Sequence, residues 1–390
     1  MFNFIILLVI SRFFGPEEFG EFSFSLAIAS ITAMVVDFGI NHVLIRDFTK
    51  EKNKKESLFS NAIILRIIIS VVLCGLVIFF LEFLEKDLLL KYLIILLVVQ
   101  SVFYVLNTTF FATYRSQGAF KYETLLKTIN RSVTLFLVIF FITLRGSILS
   151  MGVAFFIGAI LTLLITILLN RIRYRKPNLE GIKSLFRESW PFGILIILTA
   201  IYYKNSTIIL SHLSNDYIVG NYNVAFNLIL LFILVPGILS NSAYPIIAKL
   251  KIKEEIFIHI RKYRFLMLFY SGICILGSLL LGKWFVEVVY GIDFRVAASM
   301  LSVLSFSTVF LFQNILSSLL LATLRKQQVI LVESLVVTIM NIALNIVLIA
   351  QNNLYGAALA FLISESIGYA IYHMYLRRNQ FCHSRVDEHL

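Results

Sequence analysis

The chain has 390 residues, 59% hydrophobic and only 14% charged, with a formal net charge of +12 and a mean hydropathy of +0.90. Soluble domains carry about 25% charged residues, whereas apolar runs of the roughly 20 residues needed to cross a bilayer recur here. A soluble helical protein is therefore excluded. The bases sit in short clusters between apolar runs, a pattern of membrane topology that argues against nucleic acid as a partner.

Twelve apolar segments follow one another at 1–14, 19–45, 58–81, 88–112, 124–144, 148–169, 189–210, 218–247, 262–281, 297–323, 328–350 and 354–376. The expected fold is an all-α polytopic membrane protein of twelve transmembrane helices in two six-helix lobes. The first segment is short: at about 1.5 Å per residue it falls well under the roughly 30 Å hydrocarbon core. It reads as truncated, and the natural chain is expected to start upstream of Met1. An in-frame stop codon immediately before that methionine would refute this. Pro236-Gly237, inside the eighth segment, is the expected kink.

Lys and Arg alternate by loop. Twenty-six lie in loops or adjoining segment ends on one side, including Arg46, Lys50, Arg115, Lys127 and Arg131, against six on the other (Arg12, Lys86, Lys91, Arg145, Lys283 and Arg295). The positive-inside rule then places both termini in the cytoplasm of a cell (plasma or inner) membrane protein. Residues 171–188 form a basic cytoplasmic linker. It separates an N-terminal six-helix lobe (1–170) from a C-terminal one (189–377), with a polar cytoplasmic tail at 378–390.

A faint repeat supports two related halves. Ser11-Arg-Phe-Phe-Gly-Pro-Glu-Glu-Phe-Gly-Glu-Phe-Ser-Phe24 echoes 211–224, with Ser11 facing Ser211, Phe13 facing Leu213, Gly20 facing Gly220 and Phe22 facing Tyr222. Parallel repeats of this kind place a transporter's substrate site between lobes. The three cysteines, Cys74, Cys274 and Cys382, form neither a CxxC nor a metal-ligand spacing. No cofactor and no metal is expected.

Arg12-Phe-Phe-Gly-Pro-Glu-Glu-Phe-Gly20, Asp37-Phe-Gly39 and Ile45-Arg46 resemble the N-terminal signature of polysaccharide-biosynthesis membrane proteins. These include the O-antigen (Wzx-type) flippases of the multidrug/oligosaccharidyl-lipid/polysaccharide (MOP, MATE-like) exporter superfamily. Ser189-Trp-Pro-Phe-Gly193, Val219-Gly-Asn-Tyr222, Tyr244-Pro245 and Tyr355-Gly-Ala-Ala-Leu-Ala360 continue the resemblance. It implies two six-helix bundles forming a V around a central cavity. It also implies translocation of a polyprenyl-diphosphate-linked oligosaccharide, a precursor of O-antigen, capsule, exopolysaccharide or glycoprotein glycan. The implied partners are that lipid-linked oligosaccharide, membrane lipids and other glycan-assembly proteins. The missing front of helix one departs from the family pattern.

Charges inside apolar segments cost on the order of 2.5–3.5 kcal/mol by insertion scales, so each asks for a reason. Arg66 and Lys204 lie well inside segments; Arg12, Lys127 and Arg131 lie nearer segment ends. All five are candidate cavity cations for a lipid diphosphate, with snorkelling to the headgroups as the structural alternative. Asp37, Glu333 and Glu365 are the intramembrane acids, read as coupling carboxylates or as structural partners of cations and hydrogen-bond donors. Thr338, Asn341 and Asn345 share a helix face, and Gln313 and Asn314 sit mid-segment, as interhelical hydrogen bonding requires.

A flippase is the leading function. No GxxxxGK[ST] phosphate loop is present. An ion-coupled drug or cation exporter is the first alternative, but it wants acids where Lys204 is positive. A membrane glycan polymerase or glycosyltransferase is the second. It wants a large outer loop or a carboxylate-rich one, and the outer loops are short. The expected protein is not an enzyme.

Overall fold

The computed structural model describes residues 2–50, 55–170, 172, 174–249, 253–352 and 354–382. Arg171 and Arg173 of the linker and residues 383–390 of the tail lie outside the described residues, as do the side chains of Tyr244, Pro245 and Cys382. The described residues fold into fourteen helices: α1 Phe2–Asp37, α2 Ile40–Lys50, α3 Lys55–Glu82, α4 Leu88–Ser116, α5 Phe120–Thr143, α6 Ile148–Leu169, α7 Leu179–Leu213, α8 Asp216–Phe232, α9 Leu234–Lys249, α10 Lys253–Val289, α11 Arg295–Ser305, α12 Ser307–Thr323, α13 Gln327–Gln351 and α14 Gly356–Cys382. Ten of the helical stretches are long and apolar enough to cross a membrane, or eleven if the bent pair α11–α12 is one span. This is a multi-pass membrane protein.

The chain divides into two compact helical units, one ending at Ile208 and the other beginning at Ile209. In the first, α4 packs against α1 and α6, and α6 against α5. The α5–α6 contact is close because small and hydroxyl side chains meet there: Asn130 Nδ2 donates to the Gly158 carbonyl and to Thr162 Oγ1, both at 2.9 Å. In the second, α14 packs against α12 and α13, and α11 against α8 and α10. The outward face of α3 is bare apolar surface, with Val71 67% and Phe80 69% exposed, which is what lipid tails cover.

Helix breaks fall where local chemistry demands them. Segments one and two form a single helix, α1, interrupted at Gly15, whose φ of 75° and ψ of −178° belong to a region nearly confined to glycine. Pro16 then starts the second arm, where its missing N–H costs nothing. The repeat register puts Asn215 opposite Gly15, and there α8 begins: the Asn215 side chain accepts from Ile218 N at 2.9 Å as an N-cap. Burial follows the same register. Ser11 and Ser211 are buried, Phe13 and Leu213 are exposed, and Phe22 and Tyr222 are buried.

Two breaks differ from the sequence expectation. The eighth segment breaks at Ile233, between α8 and α9, not at Pro236-Gly237. Proline disrupts the turn before it, by denying a donor to the carbonyl four residues back and crowding it. The tenth segment bends by 51° between α11 and α12. Ser305, Ser307 and Thr308 each turn a hydroxyl back onto a carbonyl of the preceding turn, at 2.6–2.7 Å, which loosens the helical ladder.

The linker is half helical. Residues 174–178 lie outside any helix, strapped to α3 by Arg175 N to Ser60 Oγ at 2.9 Å and Asn178 N to Asn61 Oδ1 at 3.0 Å. From Leu179 it is already α7. Amphipathic α2 buries Ile40, Val43, Leu44 and Phe48 against Phe59, Leu65, Phe110 and Leu185.

Candidate functional site

The first unit holds a polar patch built around the end of α1. Phe38 and Gly39, both at positive φ (42° and 75°), turn the chain after Asp37 and aim its carboxylate at α3. Arg66 lies there with no exposed surface. Its guanidinium donates to Asp37 Oδ1, to Thr109 Oγ1 and, at 3.1 Å, to the Val105 carbonyl. Asn41 Nδ2 donates to the same Asp37 oxygen at 2.6 Å and to Thr108 Oγ1 at 2.9 Å. A charge wholly out of water is stable only with such a partner. Arg66 is thus a tie between α1, α3 and α4, neutralised where it sits.

The neighbouring cations on α4 and α5 are arranged differently. Arg115 grips Glu123 with two prongs, Nε to Oε2 at 2.6 Å and Nη2 to Oε1 at 2.5 Å, and Lys127 Nζ meets the same Oε1 at 2.6 Å. One buried carboxylate therefore serves two cations. Arg131, one turn further along α5, has its guanidinium carbon 5.9 Å from the centre of the Tyr104 ring. Among the described residues no carboxylate faces it. Arg115 is in electrostatic reach of both Tyr104 and Asp37, which joins these groups into one patch. It contains four cations, Arg66, Arg115, Lys127 and Arg131, and two carboxylates, Asp37 and Glu123.

Lys204 lies half-buried on α7 beside Tyr202 and Tyr203, whose rings meet edge to face at 5.3 Å. Among the described residues it too faces no carboxylate. Arg12 is exposed on α1, one turn before the Gly15 break.

The second unit gathers its acids. Glu333 on α13 and Glu365 on α14 are both buried. Tyr372 donates its hydroxyl to Glu333 Oε2 at 2.8 Å, and Asn314 on α12 donates to Glu365 Oε2 at 2.8 Å. Glu333 and the Asn314 amide that holds Glu365 both border Gly368: a methyl placed there would lie 2.7 Å from Glu333 Oε1 and 3.2 Å from Asn314 Nδ2. The Asn341 amide donates to Ser364 Oγ at 2.9 Å, and Asn345 to Asn341 Oδ1 at 3.0 Å, so the polar face of α13 joins α14.

The family model for polysaccharide biosynthesis protein matches residues 1–251. The chain belongs to that family. It is 22% identical over 317 residues to the putative O-antigen transporter of Shigella dysenteriae, covering 77% of this chain and 76% of the relative. Its fold is similar to that of the lipid II flippase MurJ in an inward closed conformation, with a TM-score of 0.83 at 18% identity, over 96% of this chain and 85% of the other. It is also similar to a multidrug resistance MATE family transporter of the MOP superfamily in an inward-facing conformation, with a TM-score of 0.77 at 15% identity, over 99% and 95% of the two chains. Family and fold thus make this a multi-pass membrane protein of the polysaccharide biosynthesis family, with a fold shared by these two proteins.

Sequence reasoning named Arg66, Lys127 and Arg131 as cations but missed how they are partnered. Asp37 proves to be the counter-ion of Arg66, separated from it by 29 positions. Glu123 and Arg115, which complete the α4–α5 cluster, lie near segment ends where charge is ordinary and drew no attention. Tyr104 and Tyr372 were hidden among 17 tyrosines. Glu123 to Lys127 spacing at i, i+4 was the available signal for that pair.

Proposed function

We propose that this protein is a flippase for a polyprenyl-diphosphate-linked oligosaccharide, moving it from the cytoplasmic to the outer leaflet by alternating access between two six-helix lobes, 1–170 and 189–377. The observation that carries the reading is Arg131 over Tyr104, together with Lys204: two cations inside apolar helices that no described carboxylate neutralises. Half-buried cations that no carboxylate neutralises are poised to take a visiting anion. A diphosphate brings two phosphates and several acceptor oxygens, which guanidinium and ammonium donors match. In a family of polysaccharide-biosynthesis proteins, the anion with this chemistry is the lipid-linked glycan.

Roles then separate. Arg131 and Lys204 contact the diphosphate, and Arg115 and Lys127 hold the surrounding field positive while sharing Glu123. Arg66 and Asp37 brace the helices that present them. Arg12 guides the headgroup from the membrane face. Both termini lie in the cytoplasm, as the distribution of bases requires. Outward movement of one negative charge out of a negative interior gains about 2.3 kcal/mol per 100 mV, so no nucleotide is needed. Glu333 and Glu365 are the groups available to a coupling cation or proton.

Depletion of the protein in its host tests the reading. Lipid-linked oligosaccharide is expected to accumulate on the cytoplasmic leaflet. Accumulation of unpolymerised units on the outer leaflet would overturn it.

A further inference from the structure

The second unit carries a cavity lined by none of the residues assigned above to cargo binding or to the acid cluster. It has a volume of about 270 Å³ and is lined by Ile260, Arg261 and Arg264 of α10, Leu320 of α12, and His373, Leu376 and Arg377 of α14. Three guanidinium groups and an imidazole thus rim one small space, while Ile260, Leu320 and Leu376 are buried and close it with apolar surface. None of the lining residues is acidic, and among the described residues no ion pair engages Arg261, Arg264 or Arg377.

The rim is positioned by its helices. Arg261 and Arg264 are three residues apart and His373 and Arg377 four apart, so each pair shares a helix face. Gln313 Nε2 donates to the Arg264 carbonyl at 3.2 Å, fixing α10 against α12. The His373 ring stacks on Tyr369 at 5.5 Å and 14°, which orients the imidazole, and it lies in electrostatic reach of Arg264 and Arg377. Guanidinium groups repel one another unless an anion stands between them, and their fork geometry matches phosphate oxygens.

From this we propose that the cavity binds a phosphate headgroup, supplied by an anionic membrane lipid, at a site separate from the transported cargo. The volume lies just under the roughly 300–1,000 Å³ of small-molecule sites, enough for a phosphate and the first carbons beside it but not for an oligosaccharide. The flanks favour a lipid over a soluble anion: Phe265 and Phe269 of α10 and Met374 of α14, each close in sequence to a rim residue, are more than half exposed. An anionic headgroup between basic helix ends, with its chains on adjoining apolar surface, satisfies both features.

The test uses the full-length protein, purified and stripped of lipid. Thermal stability is followed as it is reconstituted into phosphatidylcholine vesicles containing increasing phosphatidylglycerol, or titrated in detergent with inorganic phosphate. A saturable upward shift with phosphatidylglycerol, absent with phosphatidylcholine alone and shifted at least tenfold in half-saturating concentration by R261Q/R264Q, is expected. The same saturable shift with inorganic phosphate, again weakened by R261Q/R264Q, would keep the phosphate site but make a soluble anion its source. Should the double variant fail to fold, the exposed Arg377→Gln and its charge-conserving Arg377→Lys take its place, with lysine expected to recover only part of the binding. No shift with either ligand, or an unchanged response in the variants, would overturn the site.

Discussion

Gly39 and Gly193 sit face to face. A Cβ on Gly39 would lie 2.8 Å from the Gly193 nitrogen and 2.6 Å from Phe192 Cβ, and a Cβ on Gly193 would lie 2.8 Å from the Phe38 carbonyl oxygen. Two motifs that resemble a family signature, Asp37-Phe-Gly39 and Ser189-Trp-Pro-Phe-Gly193, are therefore halves of one joint in the first unit. Phe38 stacks on Phe186 at 4.9 Å, and His42 on Phe192 at 5.4 Å, to complete it. The joint fixes the turn that aims Asp37 at Arg66.

Gly193→Ala is expected to destabilise the protein by about 1–3 kcal/mol through overpacking, and Gly39→Ala by more, because its φ of 75° adds backbone strain. Because the residues touch, the double variant should lose less than the sum of the two. Gly15→Ala meets open space and should lose only the backbone term, about 1–3 kcal/mol. Thermal melting in detergent checks all three; wild-type melting of Gly193→Ala would show that the two backbones do not meet.

Asp37→Ala leaves the Arg66 guanidinium buried without a counter-ion. It should cost about 3–5 kcal/mol, whereas Asp37→Leu combined with Arg66→Met should restore much of the loss, since neither charge then remains. Equal damage in the single and double variants would mean that the pair serves something other than scaffolding.

Arg131→Gln and Lys204→Gln should leave melting nearly unchanged, because neither cation is neutralised by a described carboxylate. Each removes a charge-assisted contact of about 1.5–3 kcal/mol, equivalent to roughly ten- to a hundredfold in apparent affinity for a diphosphate. Glycan export measured in complemented cells decides this, and normal export by both variants would remove them from the site.

Gly368→Ala crowds the Glu333 carboxylate on α13 and the Asn314 amide on α12 and should cost about 1–3 kcal/mol. Glu333→Gln keeps an oxygen for the Tyr372 hydroxyl and is expected to fold normally; Glu333→Leu strands that buried donor at about 1–3 kcal/mol. If Glu333 also carries a coupling ion, Glu333→Gln will fold yet lose the dependence of export on the ion gradient.

The break at Gly15 was legible as the gap between segments 1–14 and 19–45, because a residue before proline is disfavoured in the helical region and glycine alone reaches positive φ freely. The kink at Ile233 was misplaced by a turn, since proline acts on the carbonyl four residues earlier. Arg66 stood out as a charge in an apolar run, but spacing along one helix could not tell that Asp37 of another helix neutralises it. Arg131 and Lys127 share an α5 face, yet one stands over Tyr104 and the other on Glu123.

Taken alone, the amino-acid sequence determined the multi-pass membrane class and the all-α fold, because desolvation of apolar runs and backbone constraints at Gly and Pro are properties of local sequence. Tertiary structure decided which buried charges are neutralised and which are not. Ion pairing in a low-dielectric interior depends on distances between helices far apart in the chain, as with Asp37 and Arg66, Asn314 and Glu365, or the three arginines around one cavity.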